Sequence, residues 1–234
     1  MMLRLFPLFL LLLLGGCHWL EADRSNLQLP LLSGITVDGD LEDWQGQGLQ
    51  VDLSPAASGE IALQDFSARA WLAWDETGLL IGLEVQDDSL IELSGPLWEQ
   101  DGIELFVAQQ AGSRNLRQFL FSPGVTALYP APRVDRIIFR SGEMQRDLPG
   151  IPIASTRLPN GYRLELRLPL EQLGPGFGAP RSLALNLNVN DRDPGEQVQP
   201  HPLHYYPSTY RNREAMFAFA PSLTSPPPFV LCRG

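Results

Sequence analysis

The segment GPLWEQDGIELFV, residues 95–107, sets an indole ring and three carboxylates, Glu99, Asp101 and Glu104, against the start of an apolar alternation. A flat ring such as that of Trp98 stacks on the C–H face of a pyranose, and a carboxylate such as Glu104 accepts strong hydrogen bonds from neighbouring hydroxyls. A second polar run, LNLNVNDRD (185–193), spaces Asn186, Asn188 and Asn190 two apart, which puts three amides on one face of a strand. Asparagine is a poor strand former. An amide, donor and acceptor at once, suits a polyol. Plainer readings stand beside these: Trp98 as a plug at the end of the fold, Asp101 as a turn cap, and the asparagines as partners of loop backbone. Acidic pairs also serve glycosidases, which need two carboxylates about 5 to 9 Å apart across a cleft, one of them with a raised pKa. Here the carboxylates cluster at one strand's start, and neither a Ser-His-Asp arrangement nor H-E-x-x-H occurs. The pattern supports binding rather than catalysis.

Strands must position these groups, because the apolar periodicity is two almost throughout. ARAWLAW (68–74), the turn DETG (75–78) and LLIGLEVQ (79–86) read as a hairpin, with Leu79, Ile81, Leu83 and Val85 on one face. The same alternation runs through Ile103, Leu105 and Val107, through Phe119 and Phe121, and through Tyr162, Leu164, Leu166 and Leu168. It recurs in Leu183, Leu185, Leu187 and Val189. With Ile103 and Leu105 turned to the core, Glu104 and Phe106 face the other way, and Trp98 precedes the strand where a loop meets the sheet. Short strands at this density, punctuated by 21 Gly and 21 Pro, predict an all-β fold: a single antiparallel β-sandwich, jelly-roll-like. LPLEQLG (168–174) holds one helical turn.

The N-terminus addresses the compartment. After Arg4 the run Leu5 to Leu14 is almost wholly apolar, about ten residues, which is too short for a permanent membrane span and reads as a signal peptide. LGGC, ending at Cys17, resembles the bacterial lipoprotein box, which implies cleavage before Cys17 and its lipidation. His18 in place of an aspartate implies the outer membrane, facing the periplasm. The expected organisation is a leader over 1–16, a tether over 17–33, a sandwich over 34–221 and a Pro-rich extension over 222–234. A net charge of -10, from 17 basic and 27 acidic residues, argues against nucleic acid and against an anionic membrane surface as partners. With Cys17 acylated, Cys232 has no partner and no intrachain disulfide is expected.

ITVDGDLEDW (35–44), AWLAWDETGLLIGLEVQDD (70–88), WEQDGIELFV (98–107), GYRLELRLPLEQL (161–173) and LALNLNVND (183–191) occur in the order found in family-nine carbohydrate-binding modules, which the chain resembles over about residues 35–220. The resemblance implies a β-sandwich that holds a mono- or oligosaccharide between two aromatic rings, sometimes in association with a glycoside hydrolase. It assigns Trp98 as one ring, Glu104 and Gln118 as hydroxyl ligands, and Tyr210, with Tyr206 second, as the other ring. Leu120 and Ser122 depart from the pattern, standing where an arginine and an asparagine are expected, so the ligand differs or binding has given way to an interaction role. Relatives hold structural calcium on loop carboxylates, for which Asp87, Asp88 and Asp101 are available; no other cofactor is implied. An alternative within related sandwich domains is b-type haem, with His201, His204, Met144 and Met216 as candidate ligands.

Overall fold

The hairpin read from residues 68–86 forms as β3 (Phe66–Trp74) and β4 (Gly78–Asp87), paired antiparallel from Phe66↔Asp87 to Trp74↔Leu79. Asp75 closes its turn, with Oδ1 accepting from the Thr77 and Gly78 amides at 2.7 and 2.8 Å. The structure, a computed structural model, describes residues 27–53, 65–110, 112–174, 177, 183–202 and 217–222. Among the described residues the strands form two facing sheets. The smaller joins β2 (Leu49–Asp52), β3, β4, β10 (Gly161–Pro169) and β9 (Ile153–Leu158), in the order β2-β3-β4-β10-β9. The larger contains β1 (Leu27–Pro30), β5 (Gly102–Ala108), β6 (Arg117–Ser122), β7 (Arg133–Ile138) and β8 (Glu143–Gln145). It is completed by β11 (Leu183–Asp191), β12 (Gln199–Pro202) and β13 (Phe217–Ser222), in the order β1-β13-β11-β5-β6-β7-β8 with β12 also on β11. The expected β-sandwich is the fold, antiparallel except where β1 runs parallel to β13.

Every alternating set read from the sequence lands between the sheets. Leu105, Val107, Phe119, Phe121, Leu185 and Leu187 from the larger sheet meet Ile81, Leu83, Tyr162, Leu164 and Leu166 from the smaller one in a single buried cluster. The physical cause is the strand's period of two, which sends alternate side chains to opposite faces and so lets one face be apolar along its length. The helical turn in LPLEQLG forms as α1 (Leu170–Leu173) and stops at Gly174, whose φ of 101° favours glycine.

The segment ITVDGDLEDW (35–44) covers the outer face of the smaller sheet. Leu32, Ile35, Leu41 and Trp44 pack there on Ala73 and Leu80. The indole lies against Gly82, where a Cβ would stand 3.0 Å from Trp44 Cε2, which explains a glycine in the middle of an apolar strand. Glu165, on the same face of β10, is 1% exposed and fully engaged. Its Oε1 accepts from Trp44 Nε1 at 2.6 Å, and its Oε2 from the Asp38 and Gly39 amides at 3.1 and 2.8 Å. A buried carboxylate surrounded by donors in this way fastens a loop to a sheet, since leaving any of these groups unpaired costs about 1 to 3 kcal/mol.

Residues 17–33, expected as a tether, include a strand. Leu27–Pro30 pairs with Phe219–Ser222, Leu29 is fully buried in the main core, and Leu31 bridges to Trp74. The expected tether over 17–33 therefore does not extend through Leu27–Pro30. The cause is a tertiary one: four residues are too few to display a period, and their partner strand lies some 190 positions downstream, a separation that follows from Leu27↔Phe219.

Candidate functional site

The outer face of the larger sheet carries the polar side chains picked out by the sequence, and strand register places them in rows. Asn188, Glu104, Leu120 and Asp135 are paired in succession across β11, β5, β6 and β7, so they form one row on one face. The next row holds Asn186, Phe106, Gln118 and Ile137. On the other side of Glu104, Asn190 pairs with Gly102 and Ser122 with Arg133. Glu104, half-buried, is the hub: Oε2 accepts from Gln118 Nε2 at 2.5 Å and Oε1 from Asn190 Nδ2 at 2.9 Å. Burial pushes its carboxyl above the usual glutamate range, and the Asn190 and Gln118 amides oppose that push. A carboxylate offers about four acceptor positions, so two amide donors leave capacity for further hydroxyls. Asn188 Oδ1 and Asn190 Oδ1 are buried and lack a hydrogen-bond partner among the described residues.

Two apolar side chains interrupt this face and are closed from solvent, which the alternation did not show. Phe106 is 2% exposed and Leu120 fully buried, with Phe106 packed on Ala108, Leu116 and Ala184. Among the described residues the unpartnered acceptors of this face are Asn188 Oδ1 and Asn190 Oδ1, on the β11 side of Glu104. Leu120 stands in the same row as Glu104, and its neighbour across β7 is Asp135 rather than a cation.

Trp98 occupies a 3-10 turn, Leu97–Glu99, that packs on β5 and β6, and its ring is half-buried. The other members of WEQD are the struts of that turn. Gln100 and Asp101 are both fully buried. Gln100 Oε1 accepts from the Leu93 amide at 2.8 Å and from Arg133 Nη2 at 3.1 Å. Asp101 Oδ1 accepts from the Arg192 amide at 2.7 Å and Oδ2 from the Ile91 amide. Asp101 thus ties two other segments to the start of β5 rather than capping a turn of its own, while Trp98, in the turn that precedes β5, remains partly open. Glu92 fixes the opposing loop, accepting at one oxygen from Ser122 Oγ and the Gly124 amide and at the other from the Val125 and Thr126 amides at 3.0 Å. Tyr206 and Tyr210 lie outside the described residues.

The acidic side chains gather into two groups where β4 and β11 end and β5 begins. Asp87, Asp101 and Asp191, all buried, place their carboxylate oxygens within 4.8 Å of one another; Asp65, Asp88 and Asp193 form a second, more exposed group. The expected set of Asp87, Asp88 and Asp101 is thus divided between the two, and Asp191, Asp65 and Asp193 were missed, although NDRD at 190–193 carried the signal. Burial, with neighbouring Asp191, Asp193 and Asp88, pushes the Asp87 carboxyl up to about 7. Burial and Asp87 push that of Asp101 up to about 8. Asp87 Oδ2 and the Tyr162 hydroxyl are buried without a hydrogen-bond partner among the described residues. Clustered carboxylates with a spare buried oxygen are the donor set a hard divalent cation takes. The residues therefore fit the calcium that the resemblance implies.

The haem ligand pairing available among the described residues does not fit. Met144 is on β8 and His201 on β12, at opposite sides of the larger sheet, with β11, β5, β6 and β7 between them. Five strand spacings of about 4.8 Å put them roughly 24 Å apart, wider than two side chains span through one iron. His204 and Met216 lie outside the described residues.

This two-sheet fold with a tryptophan turn at the end of a carboxylate-centred face is that of a sugar-binding sandwich module. The chain belongs to the carbohydrate family 9 binding domain-like family, whose pattern matches residues 37–201. That family is one of non-catalytic binding modules, so the protein is a binding module rather than an enzyme. It is similar in fold to a family 9 carbohydrate-binding module from Caldicellulosiruptor kristjanssonii solved with cellotriose, at 15% identity and a TM-score of 0.58, covering 85% of this chain and 95% of that one. The same organism's module solved with glucose matches at 16% identity and a TM-score of 0.57, covering 86% and 97%. A putative carbohydrate-binding protein from Bacteroides uniformis matches at 10% identity and a TM-score of 0.61, covering 84% and 99%. No curated protein matches the sequence.

Proposed function

We propose that this protein is an envelope lipoprotein that holds a mono- or oligosaccharide without cleaving it, at the Trp98 end of the larger sheet. The observation that carries the reading is the Glu104 carboxylate, held on the outer face by Gln118 and Asn190 with acceptor capacity to spare. Trp98 supplies the stacking ring, with Tyr210 the candidate for the second, and the buried, unpartnered carbonyl oxygens of Asn188 and Asn190 mark spare acceptor capacity beside Glu104. Because Phe106 and Leu120 are buried beside Glu104, the ligand is gripped along one edge, and an end of a chain or a single ring suits it better than a long flat polymer face. A glycan array on the purified protein identifies the best ligand, and calorimetry with that sugar then tests the site. Glu104→Gln should weaken binding about tenfold or more, since a hydrogen bond to a charged group contributes about 1.5 to 3 kcal/mol. An empty array would favour an interaction module instead.

Two further expectations accompany this reading. The first concerns calcium at Asp87, Asp101 and Asp191, where it would tie the WEQD turn to both sheets. In the metal-free protein Asp87 and Asp101 keep their protons to about pH 7 and 8, far above the ordinary aspartate value of 3.8. The folded state then binds more protons than the unfolded one, so the stability they contribute is lost as pH rises through that range. Thermal melts in chelator should show Tm falling from pH 5 to pH 8, with added calcium restoring it at pH 8 and hardly acting at pH 5. A Tm at pH 8 indifferent to calcium would remove the cation from this site.

The second concerns the anchor. Acylation at Cys17 would place the sandwich on the periplasmic side of the outer membrane, as an appendage that gathers sugar for a partner enzyme. Cys17→Ser should abolish incorporation of labelled fatty acid and shift the protein out of the membrane fraction. Unchanged labelling would exclude Cys17 as the anchor.

A further inference from the structure

The cavity at the far end of the larger sheet points to a second ligand. It measures about 360 Å³ and is lined by Asn115, Arg117, Ile138, Arg140, Ser141 and Phe177, among others. Trp98 precedes the start of β5, whereas this cavity lies beyond the end of β5, past seven residues of strand. At about 3.3 Å per residue the two places are roughly 20 Å apart. The volume falls in the range of small-molecule sites, about 300 to 1,000 Å³.

The cavity is basic in a chain that is otherwise acidic. The protein has 17 basic against 27 acidic residues, so a guanidinium without a carboxylate partner is not explained by a shortage of carboxylates. Arg136, Arg163 and Arg167 are ion-paired. Among the described residues Arg117 and Arg140 are not: Arg117 donates to the Gln172 carbonyl and Arg140 Nη1 to Asn115 Oδ1 at 3.2 Å. Arg117 is also held in place, because Gly174, at φ +101°, lets the guanidinium press on its backbone where any Cβ would collide with it. Burial and the neighbouring Arg136 charge push the Arg117 guanidinium below its usual range, against a smaller opposing pull from Glu143. The remaining walls are mixed: Asn115 and Ser141 can meet hydroxyls, and Phe177 packs against the core and offers a ring.

We propose that this cavity is a second binding site, for a carboxylate-bearing sugar such as a hexuronate, with Arg117 and Arg140 on the carboxylate. A guanidinium's planar fork matches a carboxylate's two oxygens. The Asn115 amide and Ser141 hydroxyl take ring hydroxyls, and Phe177 and Ile138 take the apolar face of the ring. The site goes beyond the neutral-sugar reading at Trp98 and does not depend on it.

Calorimetry on the Trp98→Ala protein isolates the cavity, with glucuronate, glucose and acetate as separate probes. Glucuronate should bind, and glucose and acetate should each bind at least about tenfold more weakly, because each lacks half of the recognised chemistry. Arg140→Gln, at an exposed position, should weaken glucuronate about tenfold or more at unchanged Tm. Arg117→Gln should do the same, with the melt read beside it because Arg117 also holds α1. Glucuronate affinity indifferent to Arg140→Gln, or acetate binding as tightly as glucuronate, would overturn the proposal. Failure of the neutral-sugar site appears separately, as loss of array binding in the wild-type protein.

Discussion

Trp98→Ala is expected to weaken binding of the best-bound neutral sugar by more than tenfold while Tm moves little. Stacking of a ring contributes about 0.5 to 1.5 kcal/mol beyond the area it buries, and about 1.4 kcal/mol corresponds to a decade in affinity. Stability should hold because the ring is only half-buried and the turn that carries it is fastened by its neighbours, Gln100 and Asp101. Tyr210→Ala should act in the same direction more mildly, as a smaller ring. Calorimetry on folded variants decides, and full affinity in both would take the aromatic clamp away from this protein.

Leu105→Ala is the stability counterpart. Leu105 is fully buried in the main core and sits in register with Leu187 and Phe119. Truncation there leaves a cavity and should cost about 2 to 5 kcal/mol. One position earlier, Glu104→Gln should cost about 1 kcal/mol or less. The amide keeps the side chain's shape, removes a charge that burial already disfavours, and needs only a rotation of the Gln118 or Asn190 amide to restore pairing. Denaturant or thermal melts compare the two. A larger loss from Glu104→Gln would make Glu104 a structural carboxylate and reverse the assignment of faces on β5.

The contrast between these neighbouring residues also marks how much of the site was legible. Period two separates Leu105 from Glu104 without any knowledge of partners, and the WEQD segment announced that something other than a plain strand start was present. Its division of labour was hidden. That Gln100 and Asp101 are buried struts and Trp98 the partly open member depends on Leu93, Ile91, Arg133 and Arg192, which approach from three other segments. The acidic groups behave alike. Asp87 and Asp101 could be named as candidates, but their grouping with Asp191 rather than Asp88 follows from where β4 and β11 end and β5 begins.

From its own residues the sequence determined the strand class, the inward sets from Ile81 to Val189, the helical turn at Leu170–Leu173 and the outward station of Glu104. These follow from local geometry, since a strand alternates its side chains whatever lies beside it. Tertiary structure alone decided that Leu27–Pro30 is a strand beside Phe217–Ser222, and that Glu165 is the anchor of Trp44. It also decided that Phe106 and Leu120, outward by period, are nonetheless closed from solvent. Alternation states which way a side chain points and carries no information on what will arrive to meet it, because pairing and covering are set by other segments, some of them far away in the chain, as the separation of 121 positions between Trp44 and Glu165 shows.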